Sequence, residues 1–366
     1  MKLTIQLQLL PTSEQHSTLL DTLKAFNTAA TYAAKVAFDA GVFSQQSIHK
    51  RCYYDLRERF GLSAQMAVRA IGKVVEVFKR DRTICPVFKD TGAMVYDERL
   101  MGWKGPAHVS LLTLQGRQIV AMIYGEYQGG YMPHLKGQCD LVYRDGKFYL
   151  LATIDLPEDP PIEPKRFIGV DLGIVNLATD SDGNTYTGEA VEAKRKRSHT
   201  ARQSYQSTGT KSAKRRLKKM SGRQSRFQRV TNHGIAKRLV QYAKDTKAAI
   251  VLEDLTHIRA RLTVRKKQRA RQHNWGFSQL RQFISYKAKL AGVPVVFVNP
   301  RNTSRTCNHC GFVSKQNRKS QAEFSCIRCG RKSNADLNAA RNLAVRGIVN
   351  CPDLVASRQG QLAFSW

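Results

Sequence analysis

The sequence predicts an α/β fold over its second half, a mostly parallel sheet covered by helices on both faces. A small β-barrel or sandwich carrying a helical insertion is predicted in front of it. Three observations lead there. Apolar runs at 167–170, 248–252 and 293–298 are continuous and alternate with helical stretches, the pattern of parallel strands buried on both sides. Residues 109–156 instead carry short strand-like runs, with Asp145-Gly146 as a hairpin turn between the last two. Between these regions Pro157, Pro160, Pro161 and Pro164 read as a stiff linker and a domain boundary.

Taken in order, residues 3–10 alternate apolar and polar side chains, which marks a first strand rather than the continuous core of a signal peptide. Thr12 and Gln15 are spaced as a capping box. A helical pattern then runs through Leu19, Leu20, Leu23, Phe26 and Ala30 and continues, with breaks, to about Phe88. Strands are expected at 109–114, 119–123, 141–143 and 148–154, closing a sheet that the first strand joins. Beyond the prolines, a strand ends at Asp171, another covers 175–179, and Asp182-Gly183-Asn184 makes a turn. No acidic residue occurs from Ala193 to Lys244, a stretch with helical segments such as 235–243, and a second basic cluster spans 259–271.

The formal net charge of +32 on 366 residues is the dominant compositional fact. Self-repulsion on that scale destabilises a compact chain unless a polyanion compensates it. A long basic run without one acid tracks phosphates better than it serves as a solvated face. Nucleic acid is therefore the expected partner, ahead of an anionic membrane surface or an acidic protein. No run approaches the roughly 20 apolar residues of a membrane span. The hydrophobic content of 42% supports real cores, and the length suits two or three domains.

Four of the eight cysteines form one motif, Cys307-x-x-Cys310 and Cys326-x-x-Cys329, with residues 311–325 between the pairs. Each pair makes a knuckle presenting two thiolates, and two knuckles complete a tetrahedral zinc site with no open position, hence a structural one. His309 lies inside the first knuckle and is not expected to be a ligand. Cys52, Cys85, Cys139 and Cys351 lack the spacing and read as ordinary thiols, which fits a reducing cytoplasm.

Three acids carry the catalytic expectation: Asp171 and Glu253 after strand runs, and Asp336 where a helix begins. Carboxylates at neighbouring strand ends converge above a sheet, and three of them can hold two Mg²⁺ ions that activate water and stabilise a leaving oxygen. Taken singly, an acid after a strand is more often a helix cap or a salt-bridge partner than a catalytic group. Asp254 competes with Glu253, since neighbouring strand residues face opposite ways. Asp180 and Asp182 read as turn residues. No nucleophile elbow or phosphate-cradling glycine loop is present.

The stretches Ile168-Gly169-Val170-Asp171-Leu172-Gly173, Val251-Leu252-Glu253-Asp254-Leu255, the two knuckles and Asn334-Ala335-Asp336-Leu337-Asn338-Ala339-Ala340-Arg341-Asn342 occur in this order. The combination resembles TnpB, the OrfB-type protein of bacterial and archaeal insertion sequences, and its descendants, the compact type V CRISPR effectors. The match is specific from about residue 165 to 345 and looser before it. The resemblance implies an RNase H-like (RuvC) core with an inserted zinc ribbon. It implies Asp171, Glu253 and Asp336 as the RuvC-type triad, and it is the resemblance that prefers Glu253 to Asp254.

The resemblance also implies a wedge-like barrel (1–10 and 89–160), a helical recognition domain (11–88), a nuclease domain (161–304 and 331–350), a ribbon (305–330) and a tail (351–366) with no assigned role. The expected protein is an RNA-guided DNA endonuclease of a prokaryotic mobile element, cytoplasmic and monomeric. It would hold a guide RNA and cut target double-stranded DNA beside a short motif. The alternatives are a DNA-only transposase or resolvase, a nuclease-dead guide-directed DNA binder, and a zinc-ribbon transcription factor, which would leave the triad as coincidence.

Overall fold

A computed structural model of the chain describes residues 1–254 and 277–351. The expected basic cluster at 259–271 and the tail from 352 on lie outside these residues. The chain divides into two compact units at Leu156/Pro157.

In the first unit, β1 (Lys2–Leu10) buries Ile5, Leu7 and Leu9. It is followed by α1 (Ser13–Asp39), α2 (Gln45–Phe60) and α3 (Ala64–Phe78). The capping box at α1 is made on both sides, Gln15 N donating to Thr12 Oγ1 and Thr12 N to Gln15 Oε1. Ser44 and Ser63 cap the next two helices. The helical pattern was expected to reach Phe88 but stops at Phe78. The charged segment 79–83 offers no apolar stripe to bury, and Asp81 turns its carboxylate back onto Thr83.

The chain then returns to the sheet through β2 (Met94–Tyr96), β3 (Met101–Lys104), β4 (His108–Thr113), β5 (Gly116–Ile123), β6 (Leu135–Arg144) and β7 (Lys147–Asp155), with the single turn of α4 (Glu126–Gly129) between β5 and β6. The seven strands lie in the order β2-β6-β7-β1-β5-β4-β3, every neighbour antiparallel. The edge strands β2 and β3 are consecutive in sequence, and Tyr96 Oη donates to Leu112 O across the gap at 2.9 Å. The sheet is thus a nearly closed barrel. Asp145 and Gly146 both have positive φ (48° and 79°), as a two-residue hairpin of the expected type requires.

The second unit is built on β8 (Arg166–Asp171), β9 (Asn176–Asp180), β10 (Thr185–Thr187), β11 (Ala248–Glu253) and β12 (Val295–Val298), in the order β10-β9-β8-β11-β12. Strands β8, β11 and β12 are parallel, and β9 and β10 add an antiparallel edge. The basic run is helical almost throughout, as α5 (Glu189–Thr208) and α6 (Lys211–Asp245), turning at Gly209 with φ 67°. Apolar periodicity shows only the end of α6, because α5 buries no side chain and α6 buries only Ala213 before Asn232.

One face of the sheet packs Ile168, Val170, Ile250 and Leu252 against Ile235 and Leu239 of α6 and against Leu280 and Ile284 of α7 (Phe277–Leu290). On the other face Phe167, Ala249, Val251, Val296 and Val298 meet Leu343 of α8 (Ala335–Asn350). The proline stretch is less free than a linker. Asp159 N donates to Leu290 O, Ile162 N to Gly292 O and Lys165 N to Lys247 O, so the segment straps the start of β8 to the rest of this unit.

Candidate functional site

The parallel register sets Val170 beside Leu252, so Asp171 and Glu253 follow one another out of the same end of β8 and β11. Residues two apart in a strand share a face. Asp171 therefore stands on the face of Phe167 and Gly169, and Glu253 on that of Ala249 and Val251, both beneath α8. The third acid arrives with that helix. A Cβ added to Gly169 would lie 1.9 Å from Ala340 O, so the α8 backbone rests directly on β8. Asn334 caps the helix, accepting from Asp336 N at 2.9 Å and Leu337 N at 3.1 Å, and so places Asp336 in the first turn.

Three carboxylates crowd there. Burial pushes the Asp171 carboxyl up to about 8, helped by the negative charges of Glu253 and Asp336 and opposed by Arg318. Burial also raises Glu253, against the hydrogen bond from Thr303 and the charge of Arg346. Neutral side chains orient two of the acids. Thr303 Oγ1 donates to Glu253 Oε1 at 2.5 Å, and Asn176 Nδ2 donates to Asp336 Oδ2 at 2.9 Å. Arg318, from the cysteine-rich module, reaches Asp336 Oδ1 at 3.8 Å.

The competing acids stand elsewhere. Asp254 is half exposed and pairs with Arg281 at 3.2 Å. Asp180 is fully buried but clamps its own turn, accepting from Asp182 N, Asn184 N and Asn184 Nδ2. Asp182 takes Arg166 and Tyr242. Sequence reasoning missed Asn176, Thr303 and Arg318. They act across separations of up to 160 residues, and nothing local marks them.

The four cysteine sulfurs lie within 4.8 Å of one another. Zn–S bonds of about 2.3 Å in a tetrahedron place sulfurs about 3.8 Å apart. Cys307–Cys329 and Cys310–Cys326 stand at 3.7 and 3.6 Å, so the set fits a metal such as zinc. Both knuckles have the same backbone: Gly311 N and Gly330 N donate to Cys307 O and Cys326 O, each glycine at positive φ. Buried Asn317 ties the knuckles together, donating to Arg305 O and Phe312 O and accepting from Ile327 N. His309 is not part of the sulfur cluster.

This module is anchored to α8 by two asparagines one helical turn apart. Asn338 Nδ2 donates to Thr306 O and Asn338 Oδ1 accepts from Asn308 N, while Asn342 Nδ2 donates to Thr303 O and Thr306 O. They account for the asparagines in the stretch 334–342. Among the described residues no helix is long and apolar enough to cross a membrane.

Two family models match the chain: one described as a probable transposase, over residues 152–259, and one described as the Cas12f1-like TNB domain, over 277–343. The CRISPR-associated endodeoxyribonuclease Cas12f1 of Sulfoacidibacillus thermotolerans is 32% identical over 223 residues, 56% of this chain and 51% of that protein. The TnpB-like protein MJ0751 of Methanocaldococcus jannaschii is 32% identical over 206 residues, 52% of this chain and 73% of that protein. The putative RNA-guided DNA endonuclease InsQ of Escherichia coli K12 is 28% identical over 234 residues, covering 58% and 57%. The chain thus spans about half the length of the Cas12f1 relatives it matches.

Among solved structures, a Cas12f1–sgRNA–target DNA complex matches with TM-score 0.60 at 14% identity, over 89% of this chain and 82% of that one. The mini-RNA-guided endonuclease CRISPR-Cas_phi3 matches with TM-score 0.60 at 10% identity, over 99% and 93%. At such identities the likeness is one of fold.

Proposed function

The chain belongs to the TnpB family, and from that premise we propose that it is an RNA-guided DNA endonuclease of a transposable element, with a RuvC-type nuclease core. The observation that carries the nuclease reading is that Asp171, Glu253 and Asp336 share one end of the sheet, where burial first, and the charges of the other two acids second, push the Asp171 carboxyl up to about 8. Such crowding is relieved by bound cations. The carboxylates come from two strand ends and a helix start, and Asp171, Glu253 and Asp336 would hold the catalytic Mg²⁺. When bound, these ions supply water activation and stabilisation of the leaving oxygen.

The chain's own residues do the positioning. Thr303 and Asn176 hold two of the carboxylates in fixed rotamers. Arg318 lies at the rim of the cluster, where a guanidinium meets a scissile phosphate in two-pronged fashion. The four cysteines hold one structural zinc, and through Asn338 and Asn342 the ribbon and α8 set Arg318 against Asp336. The basic hairpin of α5 and α6 lines a channel for the guide–target duplex. The barrel and its three inserted helices serve as wedge and recognition domains for the guide RNA and the motif beside the target, in a protein that acts as a monomer.

Diffuse charge grips phosphates without reading bases, so base readout falls to a guide strand. RNase-sensitive nucleic acid is expected to copurify. Replacing roughly 20 nucleotides at the guide end of that RNA is expected to redirect cleavage to the new complementary DNA. The probable-transposase description of the match at 152–259 favours a second reading, a DNA-only recombinase. That reading prevails if RNA-free protein cuts its element's ends site-specifically.

A further inference from the structure

Four buried side-chain oxygens among the described residues have no hydrogen-bond partner: those of Thr179, Ser181, Asn232 and Asn308. A buried hydroxyl left idle is costly, so each calls for a reason. Thr179 is only 2% exposed, and it is the direct register partner of Asp171 in the antiparallel pair of β8 and β9. Residues opposite one another in such a pair project to the same face, with Cβ atoms about 4.5–5.5 Å apart. Thr179 therefore presents its side chain beside the Asp171 carboxylate, under α8.

The neighbouring acids show what is missing. Glu253 is oriented by Thr303 and Asp336 by Asn176. Among the described residues, the Asp171 carboxylate accepts no hydrogen bond, while a threonine hydroxyl stands idle across the strand pair. An Mg²⁺ ion keeps several of its waters when carboxylates bind it, and groups outside the ligand set commonly fix such sites.

We propose that Thr179 is a positioning residue whose hydroxyl hydrogen-bonds a water of the ion held at Asp171, fixing that ion against the carboxylate. This rests on the metal-site reading above. Branching at Cβ restricts the threonine to few rotamers, which keeps the hydroxyl aimed.

The test uses the full, zinc-loaded chain freed of nucleic acid, titrated with Mn²⁺ and followed by electron paramagnetic resonance. Wild type, Asp171→Asn, Thr179→Val and Thr179→Ser are compared. Wild type is expected to bind Mn²⁺ and Asp171→Asn to lose it. Thr179→Val is expected to bind about tenfold more weakly, and Thr179→Ser close to wild type. Without Mn²⁺, Thr179→Val should melt at or above the wild-type temperature, since a methyl replaces an idle hydroxyl. In guided cleavage it should need more Mg²⁺ for half-maximal rate and recover at saturation.

Wild-type Mn²⁺ affinity in Thr179→Val overturns the proposal, as does a loss of affinity accompanied by a lowered metal-free melting temperature. Should wild type bind no Mn²⁺, or Asp171→Asn bind it equally, the metal-site reading fails and takes this inference with it.

Discussion

Asp171 stands where its charge is least welcome, and its titration carries a stability consequence. Its folded pKa of about 8 lies above the unfolded value of about 3.9. The protonated form is the one the fold favours. In Mg²⁺-free buffer its contribution to stability is therefore fully present below the unfolded pKa and is lost as pH rises through about 8. Asp171→Asn removes that loss, so at pH 8 without Mg²⁺ it should melt above wild type, with a smaller gap near pH 5. Equal melting curves at pH 8 would show that burial and the neighbouring acids do not hold the Asp171 carboxyl up. Asp171→Ala, Glu253→Gln and Asp336→Ala should each abolish cleavage while leaving nucleic-acid binding nearly intact, read by a cleavage assay beside a gel-shift titration. Near-normal cutting by one of them removes that residue from the site.

At the scale of elements, the seat of α8 on β8 is the most sensitive contact. Gly169→Ala forces a Cβ into Ala340 O and Ala344 N, pushing the helix and Asp336 away. A loss of about 1–3 kcal/mol in denaturant titration is expected for such overpacking, with cleavage lost more steeply than stability. Cys307→Ser or Cys326→Ser should release the single zinc per chain and lower both melting temperature and cleavage; fresh wild-type protein without zinc by elemental analysis overturns the ribbon. The cysteine cluster was readable because paired thiolates at this spacing suit a single metal. The strands ending in Asp171 and Glu253 were readable because burial on both faces leaves unbroken apolar runs. Strands β2 and β3 were not, being three and four residues long, too short to show alternation. The hairpin of α5 and α6 was only partly readable, because helices that bury almost nothing carry no apolar stripe. Asn176, Thr303 and Arg318 matter through folding, and no local spacing announces them.

For the whole molecule, the charge of +32 sets the behaviour. Binding of any nucleic acid should weaken linearly in log–log form as salt rises. Replacing the exposed Lys214, Arg215, Lys219 and Arg223 of α6 by glutamine should flatten that slope and weaken every sequence alike, leaving Mn²⁺ affinity unchanged. A slope equal to wild type would take the hairpin out of the phosphate path. The place of α8 in the chain also imposes an order on synthesis. It covers Phe167, Val251 and Val298 and delivers Asp336, so the third carboxylate does not exist until the ribosome has passed residue 336. The barrel and the basic hairpin emerge long before, and domains generally fold as they emerge. On the proposed function, a nascent chain grips RNA before it is able to cut, and chains stalled ahead of Ala335 should capture RNA yet leave DNA whole.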